Sequence, residues 1–516
     1  MAENYFSALK TFNRENLSAK RQLTYDVFYR YLETELSASD LILYDEPLSP
    51  TLGVQAQLPI LLAEYCFRTK GDIEDYLCLL TQIPDYFDSI LRFEQEKSTA
   101  GLFMSADCAV VVIQQCQKFI ADAENNYLIT IFNEKIDRIS NLTADEKIAY
   151  KARSKSVVLG YVIPAYQNLI DKVEQLSDTG KNDGGLCYLP QGQEYYRYLI
   201  RSKVGDDRGI EEIEEEIKQQ MVEDYAAVQD LLKEYGNQGN TAGARAESDT
   251  NSSSAQSSIT GSDSAQDSVT GSGSAQNSDS PVDILNTLRQ KITDDFPLLP
   301  NVSCNIKYVH NSLQEYLSPA FYLTPAIDDY ENNVIYINPS SNYSGIDLFT
   351  TLAHEGYPGH LYQSVYFQSS NPDLLRTILD VGGYTEGWAT FVEMYSYSLW
   401  EDDPTLAAIA QHNRSFTLGL ASLLDIGIHY RGYSLTEVTA FLEKLGFEAE
   451  TGNSLYQSIL QSPANYLQYY VGYLNFKRLQ ESEQAKLQEQ FSLKEFHRTV
   501  LEAGSMPFAL LEAQFQ

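Results

Sequence analysis

Two of the six histidines in this chain stand six residues apart in Leu352-Ala353-His354-Glu355-Gly356-Tyr357-Pro358-Gly359-His360-Leu361-Tyr362-Gln363, and a carboxylate directly follows the first. Two neutral imidazoles can hold a zinc ion, and a glutamate beside them can handle the proton of a water that the metal activates. That is the donor set of a zinc hydrolase. The familiar version, His-Glu-x-x-His, puts both imidazoles on one helix face. Here Pro358 occupies the place of the second histidine, and His360 lies two positions further on. On a regular helix of ~3.6 residues per turn, a six-residue step turns the second side chain roughly 120° from the first. The two rings therefore converge only across a break. Pro358 removes a helical N–H and clashes with the preceding turn, and Gly359 accepts dihedrals closed to other residues. The spacing predicts a helix through His354 and Glu355, an interruption at Tyr357–Gly359, and His360 turned back toward the same ion. The competing structural reading is a helix that simply ends at Pro-Gly with two unrelated histidines.

Two histidines leave a catalytic zinc one protein ligand short. The best candidate is Glu386, in Gly382-Gly383-Tyr384-Thr385-Glu386-Gly387-Trp388-Ala389, at the start of an apolar, aromatic-rich helix. A carboxylate in such surroundings is usually paired or bound to metal. Glu393 follows seven residues on, on the same helix face, where it can accept the outer N–H of a zinc-bound histidine and fix its tautomer. Both glutamates also fit the solvent side of an amphipathic helix. Peptide hydrolysis needs donors for an oxyanion. The candidates are His429, in Asp425-Ile426-Gly427-Ile428-His429-Tyr430-Arg431-Gly432, and Tyr469, in the segment Pro463–Gly472. Arg431 is a candidate to hold a peptide carboxylate, or else an ordinary ion-pair residue. His310, His412 and His497 have no suggestive neighbours and read as structural.

The chain must then supply elements to position these groups. At 516 residues it is long enough for two or three domains, and 43% hydrophobic and 12% aromatic content makes it globular. The excess of 71 acidic over 37 basic residues gives a net charge of −34. This excludes the basic footprint of a nucleic-acid binder and argues against docking on anionic lipid. None of the six cysteines forms a Cys-x-x-Cys pair, so a thiolate zinc site is not expected, and free thiols are favoured over disulfides. No signal peptide is visible at Met1-Ala2-Glu3-Asn4, and no apolar run approaches the ~20 residues of a membrane span.

Residues 1–235 read as a helical region, with apolar residues recurring at three and four. Glu94 with Lys97 and Glu134 with Arg138 look like charge pairs on solvated helix faces. Tyr195, Tyr196 and Tyr198 read as packing rather than substrate contacts. Residues 236–281 turn abruptly to Ser, Gly, Thr, Asn and Asp, with Ser-Ala-Gln repeating at Ser254, Ser264 and Ser274. They read as a disordered insertion. Residues 282–516 form the expected zinc-binding catalytic region. It starts with a helix from Asp283 to Ile292 and three short strands, Val302–Val309, Ala320–Leu323 and Asn333–Ile337, expected to make a small antiparallel sheet beside the active-site helix Asp347–Tyr357. A sheet edge there would suit an extended peptide. The fold class is mainly α.

The motifs at 354–363, 385–389, 425–429 and 463–472, together with Pro50–Pro59 and Ala100–Met104, resemble the bacterial domain-of-unknown-function 885 family, regarded as zinc peptidases of gluzincin type. The resemblance covers nearly the whole chain outside the Ser-rich insertion. It implies a largely helical fold, zinc at His354, His360 and Glu386, and Glu355 as base. It also implies an exported or lipoprotein-like origin, since many relatives look like exported lipoproteins. The expected reaction is metal-assisted hydrolysis of a peptide. A metal-dependent hydrolase of another amide or an ester, and a non-catalytic surface binding protein with a vestigial site, are the alternatives.

Overall fold

The structure is a computed structural model and describes residues 2–51, 53–239, 280–310, 314 and 317–516, with no side chains described for 236–239. It is mainly helical with one three-stranded sheet, as the periodicity predicts. The chain forms two compact units, and their boundary does not follow the division expected at the insertion. One unit is Asp40–Pro190 with His310–Leu317; the other is Met1–Ser39, Gln191–Val309 and Ser318–Gln516.

In the smaller unit, helices α1 (Lys70–Ala100), α2 (Ala106–Ile120) and α3 (Ile163–Leu176) enclose an aromatic centre. A capping box between Thr69 and Asp72 starts α1, and Gly101, at φ 74°, ends it in the left-handed conformation that glycine adopts without strain. The Tyr166 ring lies 5.0 Å from Phe87 and 4.6 Å from Phe119, and its hydroxyl donates to the Gln55 carbonyl at 2.9 Å. The charged run on α1 is not a solvated face. Glu94 and Lys97 are both fully buried, and Lys97 donates to the Asp45 carbonyl at 2.7 Å and pairs with Glu46 at 2.6 Å. Charge alone did not reveal that the 45–49 loop folds over this turn. Glu134 and Arg138 do form an exposed pair.

The larger unit carries the candidate site. Helix α4 (Ile210–Gly239) belongs here because it packs against a C-terminal helix, α8 (Pro404–Ile426). Buried Asp224 on α4 accepts from His412 Nδ1 at 2.8 Å and from Ser415 Oγ at 2.6 Å, so α4 is tied to α8 by its own polar groups. The expected 236–281 insertion is bounded by helix on both sides: α4 continues to Gly239 and a further helix spans Pro281–Lys291. Residues 240–279 lie outside the described residues.

Strands β1 (Ser303–Tyr308), β2 (Ala320–Leu323) and β3 (Asn332–Ile337) are ordered β1-β3-β2. β2 is antiparallel to β3 but β1 is parallel to it, so the sheet is mixed rather than antiparallel. β3, with Asn333, Ile335 and Tyr336 buried, takes the centre and leaves β2 as an edge. Alternation within a strand does not say which neighbour it pairs with. After the sheet come α5 (Gly345–Glu355), α6 (His360–Ser369) and α7 (Gly382–Ser396), then α8, α9 (Asn465–Leu487) and α10 (Leu493–Ala503). α5 packs beside β2. α7 and α9 approach closely at Gly387 and Gly472, where a Cβ on Gly387 would stand 2.5 Å from the Gly472 Cα. Among the described residues, no helix is long and apolar enough to cross a membrane. All six cysteines are free thiols.

Candidate metal centre

α5 ends at Glu355 and α6 begins at His360, so the helix is interrupted where Pro358 and Gly359 stand. The turn is compact. A Cβ on Gly359 would lie 1.7 Å from the His354 carbonyl oxygen, a separation no side chain can occupy, and the Gly359 N–H donates to the Ala353 carbonyl at 2.9 Å. The Trp388 indole N–H, from α7, donates to the Pro358 carbonyl at 3.1 Å and holds the turn against the helix that carries Glu386.

With this break the two rings meet edge to face, 4.8 Å apart at 81°. His354 Nε2 is 3.7 Å from Glu386 Oε2, and His360 Nε2 is 3.3 Å from the same oxygen. One ligand atom from each of the three residues falls within 4.8 Å of the others, and they form the one such His/Cys/Asp/Glu group among the described residues. Tetrahedral zinc with bonds of ~2.0–2.1 Å separates its ligand atoms by roughly 3.3 Å, so the donor set fits a small dication.

The second nitrogen of His354 is also engaged. Its Nδ1 lies 2.9 Å from Glu393 Oε2, and the other oxygen of Glu393 accepts from Arg414 Nε at 2.8 Å. Glu393 is thus buried rather than solvated. Glu355, buried at the end of α5, accepts the Tyr322 backbone N–H from the edge strand β2 at 2.7 Å. Tyr469, from α9, lays its ring 6.2 Å from His354 at 17°.

The electrostatics follow from three carboxylates crowding two imidazoles. Burial would lower the His354 pKa, but its hydrogen bonds to Glu386 and Glu393 outweigh that and raise it to about 10. Burial opposes ionisation of Glu393, and the Arg414 charge and His354 overcome it, to about 2. Glu386 is likewise held below the usual carboxylate range by His360 and His354, against burial. Glu355 shifts the other way: burial raises it, and His360 and His354 only partly restrain the rise. The Tyr469 hydroxyl is pushed well above its ordinary value by burial and by the charges of Glu386 and Glu355. Three carboxylates that raise the pKa of the buried His354 imidazole make a site whose negative charge a dication would balance.

Of the residues predicted from sequence, His354, Glu355, His360, Glu386, Glu393 and Tyr469 come together. His429 and Arg431 do not. His429 Nε2 lies 2.9 Å from the Ile459 carbonyl and its ring stacks on Tyr196, so the nitrogen expected to steady an oxyanion is already engaged. Burial lowers its pKa to about 4. Arg431 pairs with Glu214 at 2.9 Å and Glu211 at 3.3 Å on α4, the ion-pair alternative. His412 and His497 have structural partners, Asp224 and the Asp295 carbonyl, and His310 lies against Tyr127. Tyr195 and Tyr196 are buried packing residues. Two contributors went unread: Arg414, which stands in the polar stretch Gln411-His412-Asn413-Arg414-Ser415 of α8 and gives no distinguishing signal, and the Tyr322 N–H, a backbone group with no side-chain signature.

The family described as "Bacterial protein of unknown function (DUF885)" matches residues 1–515. Among solved structures, a "putative lipoprotein" from Colwellia psychrerythraea is similar at TM-score 0.79 and 20% identity, over 100% of this chain and 89% of that one. A "putative lipoprotein of unknown function" from Shewanella oneidensis is similar at TM-score 0.65 and 15% identity, over 99% of this chain and 90% of that one. At such identities the likeness concerns the fold. No curated protein matches the chain.

Proposed function

The chain belongs to the family of bacterial proteins of unknown function DUF885, and from the chemistry of its candidate site we propose that it is a zinc-dependent peptidase of gluzincin type. The observation that carries this reading is the convergence of His354 Nε2, His360 Nε2 and Glu386 Oε2 with Glu355 beside them. Those three side chains would hold the metal. Zinc held there supplies a Lewis acid and makes a water proton easier to remove.

The chain's own residues account for the remaining chemistry. Glu355 is the base: its carboxylate, buried and raised by that burial, takes the water proton and later passes it to the leaving amine. Glu393 holds His354 in the tautomer whose Nε2 faces Glu386. Tyr469, kept protonated by burial and by neighbouring carboxylates, is the donor placed to steady a developing oxyanion. Edge strand β2 offers backbone groups beside Glu355, which favours an extended peptide over a compact substrate. The second reading, hydrolysis of another amide or an ester through the same groups, uses the same cage. The solved neighbours' descriptions as lipoproteins lead us to propose an extracytoplasmic location as well; cell fractionation that finds the protein in the cytosol would overturn it.

The test combines metal content with turnover. Elemental mass spectrometry should find about one zinc per chain, lost in His354→Ala and Glu386→Ala. A panel of short peptides and matched esters should show hydrolysis that 1,10-phenanthroline abolishes and zinc restores. A metal-loaded protein that cleaves only the esters would sink the peptidase assignment in favour of the second reading.

A further inference from the structure

We propose that Arg414 is a positioning residue for the metal cage, acting through Glu393; this rests on the zinc reading above. Glu393 is 4% exposed, and its two oxygens go to different partners: Oε2 to His354 Nδ1 at 2.9 Å and Oε1 to Arg414 Nε at 2.8 Å. A carboxylate gripped on both sides cannot rotate about its terminal torsion, which is otherwise broad. Its orientation then dictates that of the His354 ring, and so the direction of Nε2. The three residues come from three helices: His354 from α5, Glu393 from α7 and Arg414 from α8.

The charge balance gives Arg414 a second task. Buried Glu355 and Glu393 and half-buried Glu386 bring three carboxylates into one site. A zinc ion held there would compensate two of them, and Arg414 is the fixed cation beside the third, Glu393. Without it, Glu393 keeps one oxygen unpaired in a buried setting, a costly state that it relieves by turning. Once turned, it no longer accepts from His354 Nδ1 in the same way. A guanidinium presents its Nε–H in a fixed plane, whereas an ammonium is a rotating point charge, so lysine restores the charge but not the aim.

The experiment measures zinc dissociation constants by chelator competition in the full-length chain. It compares the parent, Arg414→Gln, Arg414→Lys, Glu393→Gln and the Arg414→Gln/Glu393→Gln double variant, with folding checked by circular dichroism. Loss of an outer partner of a metal ligand weakens affinity by about 10–100-fold. Arg414→Gln should fall in that range, Arg414→Lys should lie between it and the parent, and the double variant should bind no more weakly than Glu393→Gln alone. Parent-like affinity in Arg414→Gln, or an equal penalty with and without Glu393, would overturn the proposal by making the arginine merely structural. If Arg414→Gln does not fold, Arg414→Lys decides: weakening by about threefold or more supports positioning, and parent affinity refutes it. A parent chain that binds no zinc overturns the metal reading itself, a failure seen before any variant is compared.

Discussion

The Trp388 indole N–H donates to the Pro358 carbonyl at 3.1 Å, tying the turn between the two histidines to the helix that carries Glu386. Trp388 is fully buried, with the Phe296, Phe476 and His497 rings 5.6–6.2 Å away. Trp388→Phe should orphan that carbonyl, costing about 1–3 kcal/mol, and leave a void that adds to the loss. Urea denaturation would measure the stability, and zinc titration would show weaker binding in the same variant. Unchanged metal affinity would mean the turn holds its shape without the indole.

The turn tolerates no side chain at Gly359, because a Cβ there meets the His354 carbonyl at 1.7 Å. Gly359→Ala must push α5 and α6 apart and separate His354 from His360. The expected result is a folded protein, by circular dichroism, that no longer retains zinc on gel filtration. Stoichiometric zinc in this variant would show that the cage does not depend on the tight turn.

Glu355→Gln keeps the size of the side chain and removes its basicity. Turnover should fall by about 10²–10⁴, the usual contribution of a general base, with zinc content unchanged. A variant that hydrolyses peptide at the parent rate would show that the base lies elsewhere.

His497 is held neutral by burial, with its pKa lowered from 6.5 to about 4, and its Nδ1 lies 2.7 Å from the Asp295 carbonyl. The folded-state value is the lower one, so between pH 6.5 and 4 the unfolded chain binds the extra proton. The associated stability is present above that window and lost as pH falls through it. Between pH 7 and pH 5 the loss is about 2 kcal/mol. His429 behaves the same way, while buried Asp425, raised to about 7, acts in the opposite sense across an overlapping range. The difference between parent and His497→Gln therefore isolates the effect. The parent should lose about 2 kcal/mol more than the variant on acidification in urea titrations. Equal losses would show that His497 titrates normally.

The sequence by itself determined the helical class and the interruption at Pro358–Gly359, and it supplied the candidates His354, Glu355, His360, Glu386, Glu393 and Tyr469 that the fold brings together. These rest on local chemistry: helical periodicity, a residue that cannot continue a helix, and side chains able to bind a cation. Tertiary structure alone decided the remainder. Whether His429 reaches a substrate or the Ile459 carbonyl, and whether Arg431 meets a ligand or Glu214, depends on which helix packs opposite. Spacing along one segment carries no record of that. The same holds for Lys97, buried by a loop distant in sequence, for the parallel pairing of β1 with β3, and for α4, which joins the C-terminal helices through Asp224. Arg414 went unread for the same reason: its role rests on a carboxylate 21 residues away in sequence and 2.8 Å away in space.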